Sequence, residues 1–220
     1  MIDSFDEVGP SSVLDSLNDF IKHTEVKRLI NQILSAQAKS GFRSLAVLSE
    51  YPGEGKTFFV AALALAYARL LPSRVLVVNT VVQPRSRGLF LESILGMHAP
   101  VSRQTRGLVE PGRVDLITTH GDDFGPFDSS DFHVASYIEG LASRYDVVLV
   151  DTCAMSAAEK ENIDPIIVAK HADTSVLVTS PRSLDRSSLN RVKRKLRRYG
   201  IRPLGTVYNT GVTGGWMNRR

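Results

Sequence analysis

Leu45-Ala46-Val47-Leu48-Ser49-Glu50-Tyr51-Pro52-Gly53-Glu54-Gly55-Lys56-Thr57 decides the fold. Four apolar residues that suit a buried strand run into a loop with two glycines, and the loop runs into an Ala/Leu-rich stretch that suits a helix. Strand, loop and helix in that order build a cradle for an anion. The backbone N–H groups of the loop wrap a cluster of oxygens, and the helix N-terminus adds the positive end of its dipole. Lys56 has the reach and charge for outer phosphates, and the Thr57 hydroxyl can ligate Mg²⁺. Pro52, Gly53, Glu54, Gly55, Lys56 and Thr57 are therefore the expected phosphate-binding set. The strict pattern G-x-x-x-x-G-K-[ST] asks for glycine where this chain has Glu50. Since G-x-G-K-T alone recurs by chance, the flanking strand and helix carry the reading. A β–α turn that binds nothing is the plain alternative.

Working outward, apolar Val26, Leu29, Ile30, Ile33 and Leu34 recur at helical spacing over 25–38, and Gly41 ends that helix. Strands are expected at 44–48, 75–78, 114–118, 147–150, 175–179 and 204–208. Helices are expected at 56–71, 131–144, 161–171 and 184–199, with one short helix at 89–95 inside an irregular stretch, 81–113. Short strands that are apolar throughout and alternate with helices indicate an α/β doubly wound, mostly parallel sheet with helices on both faces. Ligands of such sheets bind at the carboxyl ends of the strands. Segments 49–57, 79–84, 151–154 and 180–182 all follow strand ends and converge there. Residues 1–20 are read as a flexible polar arm, 21–210 as one nucleotide-binding domain and 211–220 as a tail.

A chain of 220 residues, 43% hydrophobic and 23% charged, fits one such domain with a full core. Its single cysteine, Cys153, rules out an internal disulfide and suits a reducing compartment. No apolar run approaches the roughly 20 residues that span a bilayer. The acidic start, Met1-Ile2-Asp3-Ser4-Phe5-Asp6-Glu7, is unlike a secretory signal, so a cytoplasmic location is expected. Nine basic residues crowd 182–202. They suit a solvated helix face or an anionic partner. With only Tyr199 interleaved, they offer no stacking platform, and nucleic acid is not the expected partner. The histidines at 23, 98, 120, 133 and 171 lack metal-ligand spacing. Ser35 and Ser49 lack a nucleophile-elbow setting, and Cys153 reads as a small packing residue. Asp151, at the end of an apolar strand, can reach a Mg²⁺ shell directly or through water.

Four segments together carry a resemblance: Pro52-Gly53-Glu54-Gly55-Lys56-Thr57 before an Ala/Leu-rich helix, Tyr145-Asp146-Val147-Val148-Leu149-Val150-Asp151-Thr152, Ala172-Asp173-Thr174-Ser175-Val176-Leu177-Val178, and Gly205-Thr206-Val207-Tyr208-Asn209. From about residue 22 to 210 the chain resembles the cytoplasmic domain of bacterial tyrosine kinases, within the deviant-Walker P-loop ATPase group. That family serves capsule and exopolysaccharide synthesis and export, and it does not require glycine at the position of Glu50. The resemblance implies ATP or ADP with Mg²⁺ as cofactors, Lys56 and Asp151 as catalytic residues, and Thr57 and Asp151 as metal ligands. It implies Asn209 as the residue that contacts adenine, for which an amide that both donates and accepts is suited; a turn residue before Gly211 is the alternative. Asp164 fits a family aspartate after the Walker B strand. Glu25 and Arg28 fit two members of an E-x-x-R-x-x-R self-association element whose third position is Asn31 here. A homo-oligomer through that helix is implied, and an ordinary docking helix is the other reading. The family also works with a membrane-bound chain-length or co-polymerase partner, which would bring the protein to the inner face of the membrane.

Two departures bear on activity. The family's second acidic element, Walker A′, reads Asp-x-Asp-x-Arg, and its carboxylate positions fall on Asn79 and Val81. Asn79 can hydrogen-bond a ligand oxygen but can neither accept a proton from a hydroxyl nor bring charge to Mg²⁺. The family also autophosphorylates a cluster of C-terminal tyrosines, and no tyrosine follows Tyr208. Nucleotide binding with reduced catalysis is the expectation. Its rivals are a non-catalytic module whose nucleotide sets assembly state, and a partition- or septum-type ATPase supported by the basic 182–202 segment.

Overall fold

The structure is a computed structural model that describes residues 15, 17–81, 91, 111–118, 131–156, 163–181 and 186–210. The elements in chain order are α1 (Thr24–Ser40), β1 (Ser44–Leu48), α2 (Lys56–Leu70), β2 (Val75–Asn79), β3 (Val114–Thr118), α3 (Asp131–Ala142), β4 (Val147–Asp151), α4 (Pro165–His171), β5 (Thr174–Thr179), α5 (Arg186–Arg198) and β6 (Gly205–Tyr208). The six strands form one sheet in the order β3-β2-β4-β1-β5-β6, with every pairing parallel. The short helix expected at 89–95 (Leu91 apart) and the tail at 211–220 lie outside the described residues.

Successive residues of each strand point to opposite faces, and both faces are covered, which is why the strands read as continuous apolar runs. Leu45, Val47, Val75, Val77, Val147 and Leu149 pack on one side against α1 and α2. Ala46, Leu48, Leu76, Val78, Val148 and Val150 pack on the other against α3, α4 and α5. The helix α2 is buried from Val60 to Ala68, so its sequence is apolar all round. By contrast, α5 turns Leu189, Val192 and Leu196 to the core, which leaves a polar, basic remainder outside.

Tyr67 ties the first layer together. Its buried hydroxyl donates to Gln37 Oε1 at 2.8 Å, and Gln37 Nε2 donates to the Phe42 and Asp146 carbonyls at 3.0 and 3.2 Å. Burial holds that phenol well above its usual range, so it remains a neutral donor. Gly41, in the left-handed region at φ 71°, closes α1 through its N–H to Gln37 O, as its position in the sequence predicts.

Three of the boundaries that differ from the sequence reading have a plain physical reason. The helix expected from 161 begins at Pro165, because Asp164 caps it with a bond from Ile166 N at 2.8 Å and proline suits the first helical position. β2 runs one residue further, to Asn79, where backbone pairing with β4 continues. Residues 17–20, assigned to the arm, are helical, and Leu17 is completely buried. Leu17, Phe20 and Ile21 form an i, i+3, i+4 apolar stripe within a polar composition.

Candidate functional site

Strand order places β1 between β4 and β5, with β2 beyond β4. The loop that leaves β1 therefore meets Asp151 at the end of β4 and the segments after β5 and β6. Within the loop, Gly53 and Gly55 have φ of 79° and 93°, a region that side chains other than glycine rarely adopt. Gly55 is the residue before α2, so the turn aims the free N–H groups of the helix toward the mouth of the loop. A Cβ at Gly55 would also collide with the Asn209 amide, whereas one at Gly53 would meet nothing within 4 Å.

Lys56 starts α2 and is nearly buried. Its Nζ donates to Ser49 Oγ at 2.6 Å, and Ser49 Oγ donates to the Tyr51 carbonyl at 2.8 Å. Burial lowers the ammonium pKa, opposed by the charges of Asp151, Cys153 and Glu54. A cation that has lost part of its hydration in this way gains from an anion brought to it. Thr57, one residue on, donates from Oγ1 to Asp151 Oδ2 at 2.6 Å.

Asp151 is fully buried, and its other oxygen, Oδ1, has no hydrogen-bond partner. Burial pushes this carboxyl up to about 6, against the Thr57 hydrogen bond and the Lys56 charge. Its carbonyl accepts from both Thr80 N (3.0 Å) and Thr80 Oγ1 (2.8 Å), which fixes the strand end. A hydroxyl and a carboxylate in contact, with one carboxylate oxygen unfilled, form the hard-oxygen donor pair that Mg²⁺ takes beside substrate phosphates. The pair fits the metal that the sequence implies. Among the described residues there is no group of three or more His, Cys, Asp or Glu that could hold a metal ion without a ligand's help.

Asn79 is register-paired with Asp151 across the β2–β4 ladder and is buried. By strand parity with Val75 and Val77 it faces the α2 side, as Asp151 does by parity with Val147 and Leu149. Its Oδ1 accepts from Val81 N at 3.0 Å, so the amide is used in a local turn.

The remaining loop contacts were not legible in the sequence. Glu54 is 2% exposed. Its Oε2 accepts from Tyr51 N at 2.9 Å and its Oε1 from Ser180 N, after β5, at 3.3 Å. Asn209 N donates to Thr179 O at 2.7 Å, and Asn209 Nδ2 donates to the Glu54 carbonyl at 3.0 Å. The structure thus brings Asn209 to the phosphate loop itself. Ser49, which the sequence presents only as a candidate nucleophile, is instead the partner of the Lys56 ammonium. Its place at the end of β1, seven residues before a lysine that folds back, was the available signal. Asp164 acts as the cap of α4, and Cys153 is buried with its Sγ toward the Ile163 carbonyl at 3.5 Å, in keeping with a packing role. Pro52 is exposed on the loop. Glu25, Arg28 and Asn31 are exposed along α1, spaced three residues apart.

No family model matches the chain. The tyrosine-protein kinase CpsD of Streptococcus pneumoniae is 26% identical over 203 residues, which cover 87% of this chain and 86% of that protein. The kinase domain of the Escherichia coli tyrosine kinase ETK superposes with a TM-score of 0.61 at 21% identity, over 83% of this chain and 73% of that one. The chain is similar in sequence and in fold to bacterial tyrosine kinases. The septum site-determining protein MinD of Pyrococcus horikoshii, solved with Mg-ADP, shares the fold at a TM-score of 0.55 and 20% identity, over 76% of this chain and 70% of that one. Both structural matches have the P-loop type of α/β architecture, which is the architecture found here. In the tyrosine-kinase-like chain, no helix among the described residues is long and apolar enough to cross a membrane.

Proposed function

We propose that this chain binds ATP or ADP with Mg²⁺ as a bacterial tyrosine-kinase-type protein of polysaccharide synthesis or export, and that its phosphoryl transfer is slowed by Asn79 and Val81. The observation that carries the reading is the Thr57–Asp151 contact, with one buried Asp151 oxygen unpartnered, at the foot of a glycine loop and beside a buried Lys56. Each part has its task. The amides of the loop and of the first turn of α2 hold phosphate oxygens, and Lys56 supplies positive charge to them. Thr57 and Asp151 would hold Mg²⁺, which when bound neutralises charge on the phosphate oxygens. Ser49 keeps the Lys56 ammonium at the loop mouth.

Phosphoryl transfer rests on positioning and electrostatics, so this set supports binding and slow turnover without a base at position 79. Asn79 equally favours a second reading, a module that binds nucleotide and changes assembly state without turnover. A membrane-bound co-polymerase partner and self-association through the Glu25/Arg28 face of α1 belong to the same proposal and rest on the family likeness.

Calorimetry on Lys56→Met tests the site. Loss of a charge-assisted contact of about 1.5–3 kcal/mol is expected to weaken Mg-ATP binding at least about tenfold. Unchanged affinity would remove the assignment. Phosphate release measured beside binding then separates slow enzyme from silent module.

A further inference from the structure

The loop is held from outside by groups that come from far along the chain. Glu54 lies at its centre, and both carboxylate oxygens are occupied by backbone N–H groups: Tyr51 from within the loop and Ser180 from the end of β5. The carbonyl of the same residue is taken by Asn209 Nδ2, from the end of β6. Asn209 is itself anchored to β5 by its N–H on the Thr179 carbonyl. Gly55 leaves no room beside it, since a Cβ there would strike the Asn209 amide. Three consecutive pieces of the site, the Glu54 side chain, the Glu54 carbonyl and the Gly55 Cα, are thus fixed by the ends of two strands that contribute nothing to the phosphate motif.

We infer that Glu54, Ser180 and Asn209 form a latch that sets the shape of the phosphate loop, and that Asn209 is a positioning residue for the cradle. The physical argument is that a ring of amides binds an anion well only if it is already in place, because ordering it on binding is subtracted from the affinity. A loop with two left-handed glycines has many competing shapes, and the latch removes them. One Nδ2 hydrogen of Asn209 is given to the loop carbonyl, and the value of that bond to binding passes through the loop to the phosphates. It should therefore be the same for every ligand that carries the phosphate tail.

This inference extends the nucleotide reading, and the experiment keeps the two apart. Asn209→Ala and Asn209→Asp are compared with the unaltered protein in two measurements, the Asp variant keeping the shape of the side chain while losing its donor. In the ligand-free protein, hydrogen exchange at the Tyr51 and Ser180 amides should speed up by about 2–13-fold, the range of one net hydrogen bond, while the Val47 amide at the centre of the sheet stays unchanged. In calorimetry, Mg-tripolyphosphate, which carries no base, should weaken by a factor in that range, and Mg-ATP should weaken at least as much. Weakening of ATP with tripolyphosphate untouched would make Asn209 a base contact and overturn the inference. So would loop amides that exchange at the original rate in both variants. If the unaltered protein binds neither ligand, the nucleotide reading falls while the exchange rates still decide whether the latch exists.

Discussion

Asn79→Asp is expected to raise phosphoryl transfer from ATP by about 10²–10⁴-fold, the usual worth of a positioned general base. The position is suitable because Asn79 is paired in register with Asp151, on the side of the sheet covered by α2. A carboxylate there would stand at the same edge as Lys56 and Thr57 and could accept a proton from an attacking hydroxyl. The present amide cannot, and its oxygen is engaged by Val81 N. The substitution also has a cost that can be foreseen. A second carboxylate beside buried Asp151 is a like-charge pair, so the ligand-free variant should be less stable than the original and should recover on adding Mg²⁺ with nucleotide. Labelled ATP, followed for both phosphate release and protein-bound label, reads the rate. A variant that binds ATP as before and turns it over no faster would show that Asn79 is not what limits catalysis. The silent-module reading would then stand.

The sheet was legible because its strands are covered on both sides. Uninterrupted runs such as Val147–Asp151 leave no choice of face, and β1, β3 and β4 fall within one residue of where the sequence puts them. The starts of α2 and α3 fall where the sequence puts them, and the start of α4 was harder to read. The Asp164-Pro165 pair marks the start of α4 by its capping chemistry, which apolar periodicity does not register. Of the site, the parts contiguous in sequence were legible: the loop, Lys56 and Thr57. The Asp151 contact with Thr57 spans 94 positions and the Asn209 contact with Glu54 spans 155, so both depend on strand order, which no local pattern encodes.

Two aspartates of the resembling segments lie away from the site. Asp146 and Asp173 belong to those segments but serve the opposite edge of the sheet. Asp146 accepts from Arg74 N at 2.8 Å and pairs with the Arg74 guanidinium at 2.6 Å, which holds its carboxyl below the usual range. Asp173 Oδ2 accepts from the Arg43 and Ser44 amides at 2.7 and 2.8 Å, where β1 begins. Those aspartates shape the fold, and the chemistry sits at the other end.

Asp151→Asn should make the ligand-free protein more stable at neutral pH and at the same time a poorer binder of Mg²⁺ with nucleotide. In the folded protein this carboxyl is pushed from 3.8 to about 6 by burial, so its charged form is the unfavourable one. Between those two values the folded chain holds a proton that the unfolded chain has released. Stability from this group is therefore greatest below pH 3.8, declines as pH rises through the window, and is fully lost above about 6. The gap is worth about 3 kcal/mol at its limit. Asparagine still accepts from Thr57, but Lys56 loses the opposing charge that helps it remain protonated, which returns part of the gain. A net gain of about 1–2 kcal/mol would raise the melting temperature by about 2–8 °C at pH 7.5, with the difference closing toward pH 4. Metal-dependent nucleotide affinity should fall roughly 100-fold, since even outer-shell changes at metal sites cost 10–100-fold. Melting curves across pH 4–8, with and without Mg-ATP, read both effects. A variant that melts below the original at pH 7.5, or that keeps the same slope between pH 4 and 6, would mean that Asp151 is not a strained carboxylate waiting for a cation.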